Sequence, residues 1–178
     1  MELHNAATRG YIDKVRELIN NGIDINKQDE HGWTALHYAS YKGHLEVAKL
    51  LVDSGADVNI QSASGKTSLH MASKYGHLEI VKLLIGAGAN INKKDNYDRT
   101  ALHSASQKGH LEIVQFLIDA GVELDQYTIE NHVHQLGQEI VDNINMTKQW
   151  ETIQYLPQEL QQQFPEPIVR ASQLGMYD

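Results

Sequence analysis

The sequence predicts an all-α solenoid, a row of helix-turn-helix units connected by projecting turns and followed by a helical C-terminal extension. Two observations predict it. The same short motifs return at steps of 33 residues, which is typical of repeat architectures. Within a unit, apolar residues recur three and four positions apart and are interrupted by glycine, as in short amphipathic helices. Because a unit of this size cannot bury its own apolar side, the units must stack on one another.

The period is visible in two sets of strings. The first set has Thr, Leu and His at fixed positions and occupies residues 32–37, 65–70 and 98–103. The second set reads Gly-His-Leu-Glu followed by an aliphatic residue, and occupies residues 43–47, 76–80 and 109–113. A looser copy of the second string stands at residues 10–15. The chain therefore contains three full units and one partial unit at its N-terminal side.

The first helix of a unit is illustrated by residues 34–42. Thr34 is a typical helix start, and Gly43 allows the positive φ that ends the helix. Leu36 and Ala39 are expected to be buried. The same signals return one period later in each following unit.

The second helix begins directly after that glycine. Leu45, Ala48, Leu51 and Val52 recur at three- and four-residue steps and predict an apolar stripe. Gly55 ends this helix. The polar residues that follow, up to position 65, predict a projecting turn rather than a third helix.

The chain is accordingly divided into six segments. Residues 1–28 are read as an N-terminal capping repeat, and residues 126–146 as a degenerate C-terminal capping repeat. The full repeats are expected at 29–61, 62–94 and 95–125. The remaining residues, 147–178, predict a helical extension in which apolar residues again recur at short steps.

These motifs resemble the ankyrin repeat, whose Thr-Pro-Leu-His-x-Ala signature and 33-residue period match residues 1–125. The family's proline is replaced by Ala35, Ser68 and Ala101, which should loosen each unit slightly without changing the fold. Asp98 stands where the other units have glycine, so the turn there is expected to be strained or differently shaped. The resemblance implies a scaffold that binds other proteins.

Composition excludes several other classes of function. The net charge of −8 disfavours binding to nucleic acid or to an anionic membrane surface. The chain has no cysteine, so disulfides and thiolate metal sites are excluded. We expect a monomeric protein in the cytoplasm; a nuclear location or delivery into a host cytosol stays open.

The ten histidines do not indicate catalysis or metal binding. Seven of them recur at two repeat positions, so a structural role is expected. His132 and His134 are two residues apart, a spacing that points side chains to different faces of a helix. We therefore expect no enzyme activity, no cofactor and no metal; an enzyme working through this pair is the least favoured alternative.

The resemblance also implies where a partner would bind. In ankyrin proteins the concave surface is formed by the turn tips and the exposed side of the first helix. Carried onto this chain, the candidate partner-binding residues are Arg9, His31, Trp33, Tyr41, Lys42, Lys66, Lys74, Tyr75, Tyr97, Arg99 and Lys108. The set contains six basic residues, whereas Glu30 is the one acid among the surface positions considered. Aromatic residues are also concentrated in the set. The surface therefore predicts a protein partner with an acidic, partly apolar segment.

Two alternative functions and one modification stay open. The protein could instead inhibit a partner enzyme, as an immunity protein does. Residues 150–164 faintly resemble the opening of an F-box-like segment, which would indicate a substrate adaptor of a ubiquitin ligase. Asn26, Asn59 and Asn92 also match the ankyrin consensus for asparaginyl hydroxylation, although tolerance of asparagine in turns explains them more simply.

Overall fold

The computed structural model describes residues 2–123, which fold into eight α-helices and contain no strand in that range. The helices are α1 Glu2–Arg9, α2 Ile12–Asn20, α3 Ala35–Lys42, α4 Leu45–Asp53, α5 Ser68–Tyr75, α6 Leu78–Gly86, α7 Ala101–Lys108 and α8 Leu111–Asp119. None of these helices is long and apolar enough to cross a lipid bilayer.

The helices form four antiparallel pairs that stack in chain order. The first helices α1, α3, α5 and α7 pack side by side in one layer, and the second helices α2, α4, α6 and α8 form the other. This is the all-α repeat fold that the period predicts. We call the exposed side of the first helices, together with the turns that precede them, the first-helix face.

The core lies between the two layers. Leu36 and Ala39 are buried, as predicted. In α4 the stripe is centred differently from the prediction, because Val47 is buried with Ala48 and Leu51 whereas Leu45 and Val52 are half-buried. At 100° per residue, the latter two positions lie along one border of the buried stripe.

Each full unit begins its first helix with the same capping arrangement. The backbone N–H of Thr34 donates to His37 Nδ1 at 3.2 Å, and the Thr34 hydroxyl lies 2.9 Å from the same nitrogen. Nε2 of that ring donates to the carbonyl oxygen of Lys66, 3.0 Å away in the next unit. The imidazole thus satisfies a helix N-terminus and joins two units at once, confirming the predicted structural role of this histidine position.

The second histidine position also joins units. His44 Nε2 donates to the carbonyl oxygen of Thr8 at 3.0 Å, and His77 Nε2 to that of Tyr41 at 3.2 Å. The histidine at this position therefore also has a structural role, in joining neighbouring units. Its ring reaches back to the last turn of the preceding first helix, where only glycine leaves room for it, since a Cβ added to Gly43 would lie 2.4 Å from the His77 ring.

The turn before the last full unit keeps the shape of the others. Asp98 has φ +58°, close to +72° at Gly32 and +76° at Gly65. Its N–H donates to the carbonyl oxygen of Asp95 at 3.0 Å, as the N–H of Gly65 does to Ser62 at 2.8 Å. The strain predicted at Asp98 is confirmed by its left-handed backbone. The alternative prediction, a turn of different shape, was wrong.

Several predictions lie outside the described residues. They concern the capping repeat at 126–146, the extension at 147–178, the F-box-like segment at 150–164, and the pair His132 and His134. The proposed segment boundaries stay predictions.

Candidate functional site

A row of aromatic rings crosses the first-helix face. The Trp33 ring centroid lies 4.8 Å from that of Tyr38 and 5.8 Å from that of Tyr41. Tyr41 in turn meets Tyr75 of the next unit edge to face, with centroids 4.6 Å apart. All four side chains are half-buried or exposed. This aromatic row, Trp33, Tyr38, Tyr41 and Tyr75, offers a continuous apolar contact surface that spans two units.

Basic side chains lie over two rings of the aromatic row. Lys42 Nζ is 4.6 Å from the centroid of Tyr41, and Lys74 Nζ is 5.3 Å from that of Tyr75. These distances fall within the range of cation–π attraction. The ammonium groups are thereby held beside the rings, which places positive charge and aromatic surface side by side.

The turn that leads into the first helix of each full unit contains a further predicted contact residue. Trp33, Lys66 and Arg99 occupy the same repeat position, one residue before the helix-capping threonine. Their carbonyl oxygens accept hydrogen bonds from His4, His37 and His70, at 3.1, 3.0 and 2.9 Å. The histidine of one unit therefore holds the backbone of the predicted contact residue of the next.

Acidic residues at the start of the turn were not among the predicted site residues. Asp95 is buried and binds the Arg99 side chain through Nε at 3.2 Å and Nη2 at 3.0 Å. Burial opposes ionisation of this carboxyl, but the hydrogen bonds from the side chain and backbone of Arg99 and from the N–H of Tyr97 outweigh it and lower the Asp95 pKa.

The equivalent carboxylate in the first full unit is Asp29. It accepts the Tyr38 hydroxyl at 2.6 Å and the N–H of Trp33 at 2.8 Å. Burial would raise the Asp29 pKa, and these bonds lower it overall. Burial and the adjacent carboxylate together raise the pKa of Tyr38 to about 12.

Three cations lie on the first-helix face, and one of them, Lys74, lies beside the aromatic row. Lys66 is half-buried, and burial followed by the positive charges of Lys74 and Arg99 lowers its pKa, an effect that Asp95 partly opposes. Lys66 and Arg99 stand at the same position of adjacent stacked units, and Lys74 belongs to α5, the first helix that follows Lys66. We call Lys66, Lys74 and Arg99 the cation cluster.

The structure brings together most, though not all, of the predicted contact residues. None of the eleven is buried, and the aromatic row and cation cluster account for six of them. Lys42 lies against the row through Tyr41, and Tyr97 lies 4.8 Å from the Arg99 guanidinium. The remaining three are Arg9, His31 and Lys108. Among the described residues, no ring contact or ion pair joins their side chains to this group.

The predicted charge excess of the surface needs a correction. The sequence-based count opposed six bases with Glu30 alone, but Arg99 is already paired with the buried Asp95. The missed residues, including Tyr38, have a signal in the sequence. Position 38 reads Tyr, Met and Ser in successive units, and position 29 reads Asp, Ser and Asp. Both positions vary between units while the motif residues around them stay constant, and a search for such variable positions would have found these residues.

The asparagines of the predicted modification motif tie neighbouring turns together. Asn26 Oδ1 accepts the N–H of Asp57 at 2.8 Å, and Asn59 Oδ1 accepts that of Asn90 at 2.7 Å. These contacts give two of the three asparagines a structural role. Hydroxylation stays a prediction. Within residues 2–123, no group of three histidine or acidic side chains could hold a metal ion.

Comparison with known proteins agrees with the fold and the repeat period. A family model described as ankyrin repeats, in three copies, matches residues 2–62 and 56–128, well over half of the chain. No curated protein was found to match the sequence. The repeats of this family are modules for binding other proteins. Because helix pairs, period and family model agree over the same residues, the chain belongs to the ankyrin-repeat family.

Proposed function

We propose that the protein is a non-enzymatic adaptor that binds an acidic, partly apolar segment of another protein through the first-helix face. The observation that carries this proposal is the aromatic row with basic side chains beside its rings. Large aromatic side chains are frequent hot spots of protein interfaces. Complementary charge would speed the encounter and disfavour basic competitors.

The contrast with the second helices supports this choice of face. On α4 and α6 the exposed charged residues are Glu46, Lys49, Asp53, Glu79 and Lys82, and no ring contact occurs along these helices in the described part of the chain. Lys82 is paired with Glu79 at 2.8 Å. Solvated charges of this kind contribute little to an interface.

The test is affinity capture with the full chain, read by mass spectrometry. Replacing Tyr41 and Tyr75 together by alanine removes the centre of the aromatic row without leaving a buried charge unpaired, as truncating Arg99 would. With two hot-spot side chains lost, partner affinity should fall roughly 30-fold or more. Circular dichroism and thermal melting check that the variant stays folded.

The matched control is the double variant Lys49→Ala and Lys82→Ala on the second helices. It should capture the same proteins as the wild type. If the tyrosine variant also retains them at full affinity, the binding surface lies elsewhere. We further propose that the protein acts as a monomer in the cytoplasm; sedimentation of the full chain and its localisation in cells test these two points.

A further inference from the structure

The turn of the middle unit lacks a carboxylate that its neighbours have. Asp29 and Asp95 begin the turns of the flanking units, and each accepts hydrogen bonds from its own turn. Asp29 also accepts the hydroxyl of Tyr38 in the first helix α3. Ser62 occupies the equivalent position in the middle unit. Its hydroxyl oxygen accepts only the N–H of Lys66, at 3.2 Å, and contacts the Ser64 hydroxyl at 3.0 Å. A negative charge is therefore missing at the centre of the site.

The missing charge matters because of the residue that follows it. Lys66 stands where Arg99 stands in the next unit, and Arg99 is neutralised by Asp95. Among residues 2–123, no carboxylate lies within ion-pair distance of the Lys66 or Lys74 ammonium group. Lys66 is moreover half-buried and repelled by its two cationic neighbours. An anion bound here would relieve that repulsion in a partly desolvated place.

We propose that the bound protein segment supplies this carboxylate: Lys66 and Lys74 form a subsite for one Asp or Glu side chain, and an adjacent apolar side chain of the segment packs on Tyr41 and Tyr75. This inference rests on the proposed function and names the chemistry of the partner.

The geometry also sets the spacing within the segment. Lys74 Nζ is 5.3 Å from the Tyr75 ring centroid, and Tyr75 meets Tyr41 at 4.6 Å. An extended peptide advances roughly 3.3 Å per residue, so the acid and the apolar residue stand within about two positions of each other. The recognised feature is an acid beside a large apolar residue.

A carboxylate fits this subsite better than a phosphate does. Tight phosphate binding in proteins commonly uses the bidentate fork of an arginine. Arg99 is the arginine of the cluster, and its Nε and Nη2 groups already bind Asp95. The two lysines remain as point charges, which suit a singly charged oxygen group.

The test uses a random peptide library displayed on phage and the full chain as bait. The wild type should enrich peptides that carry Asp or Glu within two positions of a large apolar residue. Ser62→Asp restores the charge found in the flanking units. Peptides selected by this variant should show no preference for an acid, whereas the preference for the apolar residue should remain. The Lys66→Glu variant should enrich peptides that carry Lys or Arg in place of the acid. Lys49→Glu, the same charge change on a second helix, should leave the selection unchanged.

Synthetic peptides give the quantitative readout. One selected fluorescent peptide is compared with versions carrying Gln or phosphoserine in place of the acid. The Gln version should bind wild type roughly fivefold more weakly and bind Ser62→Asp as well as the parent peptide does. Phosphoserine should bind no more than tenfold more tightly than the acid; a larger gain would overturn the carboxylate assignment in favour of a phosphorylated segment.

The outcomes separate this inference from the proposed function. If Ser62→Asp and Lys66→Glu select the same acidic peptides as the wild type, the subsite is wrong, although binding through the first-helix face can stand. If the Tyr41→Ala, Tyr75→Ala variant also selects those peptides, or if the wild type selects none, the proposed function fails and the subsite fails with it.

Discussion

At the scale of single residues, a buried imidazole couples the fold to pH. Burial lowers the pKa of His37 to about 4, although its hydrogen bond to Lys66 and the charge of Asp29 act in the opposite direction. The nearby His70 also has a lowered pKa for the same primary reason. Both rings are therefore neutral in the folded protein at pH 7, consistent with Nδ1 accepting from the capping threonine and Nε2 donating to a carbonyl.

The folded protein should lose stability as the pH falls from about 6.5 to about 4. Below pH 6.5, His37 is protonated in the unfolded chain, whereas in the folded protein it stays neutral until the pH approaches its pKa of about 4. Because the unfolded state then binds one more proton, falling pH favours unfolding. The contribution of His37 to this loss is on the order of 3 kcal/mol. Denaturant unfolding at several pH values measures it.

Two features separate this effect from the titration of acids. Asp29 and Asp95 have pKa values below 3.8, so the stability that they contribute is present above that pH and is lost only as the pH falls further. The variant His37→Gln should be less stable at pH 7 but should show a shallower loss between pH 6.5 and 4. An unchanged slope in that variant would contradict the assignment to His37.

The turn glycines provide a second prediction at this scale. At Gly65 a Cβ would lie 2.7 Å from the backbone nitrogen of Asn96, in addition to the left-handed φ of +76°. We expect Gly65→Asp to destabilise the fold by more than about 2 kcal/mol, because backbone strain and overpacking add. Asp98→Gly should instead be neutral or stabilising by up to about 1 kcal/mol. Equal tolerance of aspartate at both positions, measured by thermal unfolding, would refute this account.

Sequence reasoning found the surface residues better than it found their partners. Trp33 and Arg99 stand out because they vary within a constant period. The pairing of Arg99 with Asp95 depends on how the turn folds back across four residues, which composition and period do not show. The charge count failed for that reason.

At the scale of elements, the first helices α1, α3 and α5 each end against a histidine ring from the following unit. Gly43 has φ +78°, and its missing side chain leaves room for His77, whose Nε2 donates to Tyr41. Gly43→Ala should therefore cost roughly 1 to 2 kcal/mol from the left-handed backbone and about 1 to 3 more from displacing the ring. Chemical denaturation gives the total.

Gly55 is the matched control because it ends the second helix of the same unit with φ +92°, and no described atom lies within 4 Å of a Cβ added there. Gly55→Ala should show the backbone cost alone. In a His77→Ala background, Gly43→Ala should fall to the same value. If the two alanine variants cost equally in the wild type, the ring contact contributes nothing at this junction.

The helices themselves were largely predictable. The Thr start and Gly stop signals give α3 as residues 35–42 within one position, because capping is a local interaction that the sequence displays directly. The reach of His44 to Thr8, 36 residues earlier, required the stacked arrangement to be seen. Contacts between units were the part that local signals missed.

At the scale of the whole molecule, stacking places like positions of successive units side by side. That is why three different residues at positions 33, 66 and 99, far apart in the sequence, lie at equivalent positions on one face. The period predicted the solenoid and the exposure of these residues. It did not predict that the middle unit would be left with uncompensated positive charge, because the pairing of Asp95 with Arg99 that this unit lacks is a contact shown only by the fold.

The central claim is that partners bind the first-helix face. The most direct measurement is an NMR titration of the isotope-labelled full chain with a peptide that carries an acid beside a large apolar residue. The claim predicts that the largest amide shifts fall on α3, α5 and the turns preceding α5 and α7, with Tyr41, Lys66 and Tyr75 among them. Shifts confined to α4 and α6, around Lys49 and Lys82, would contradict it.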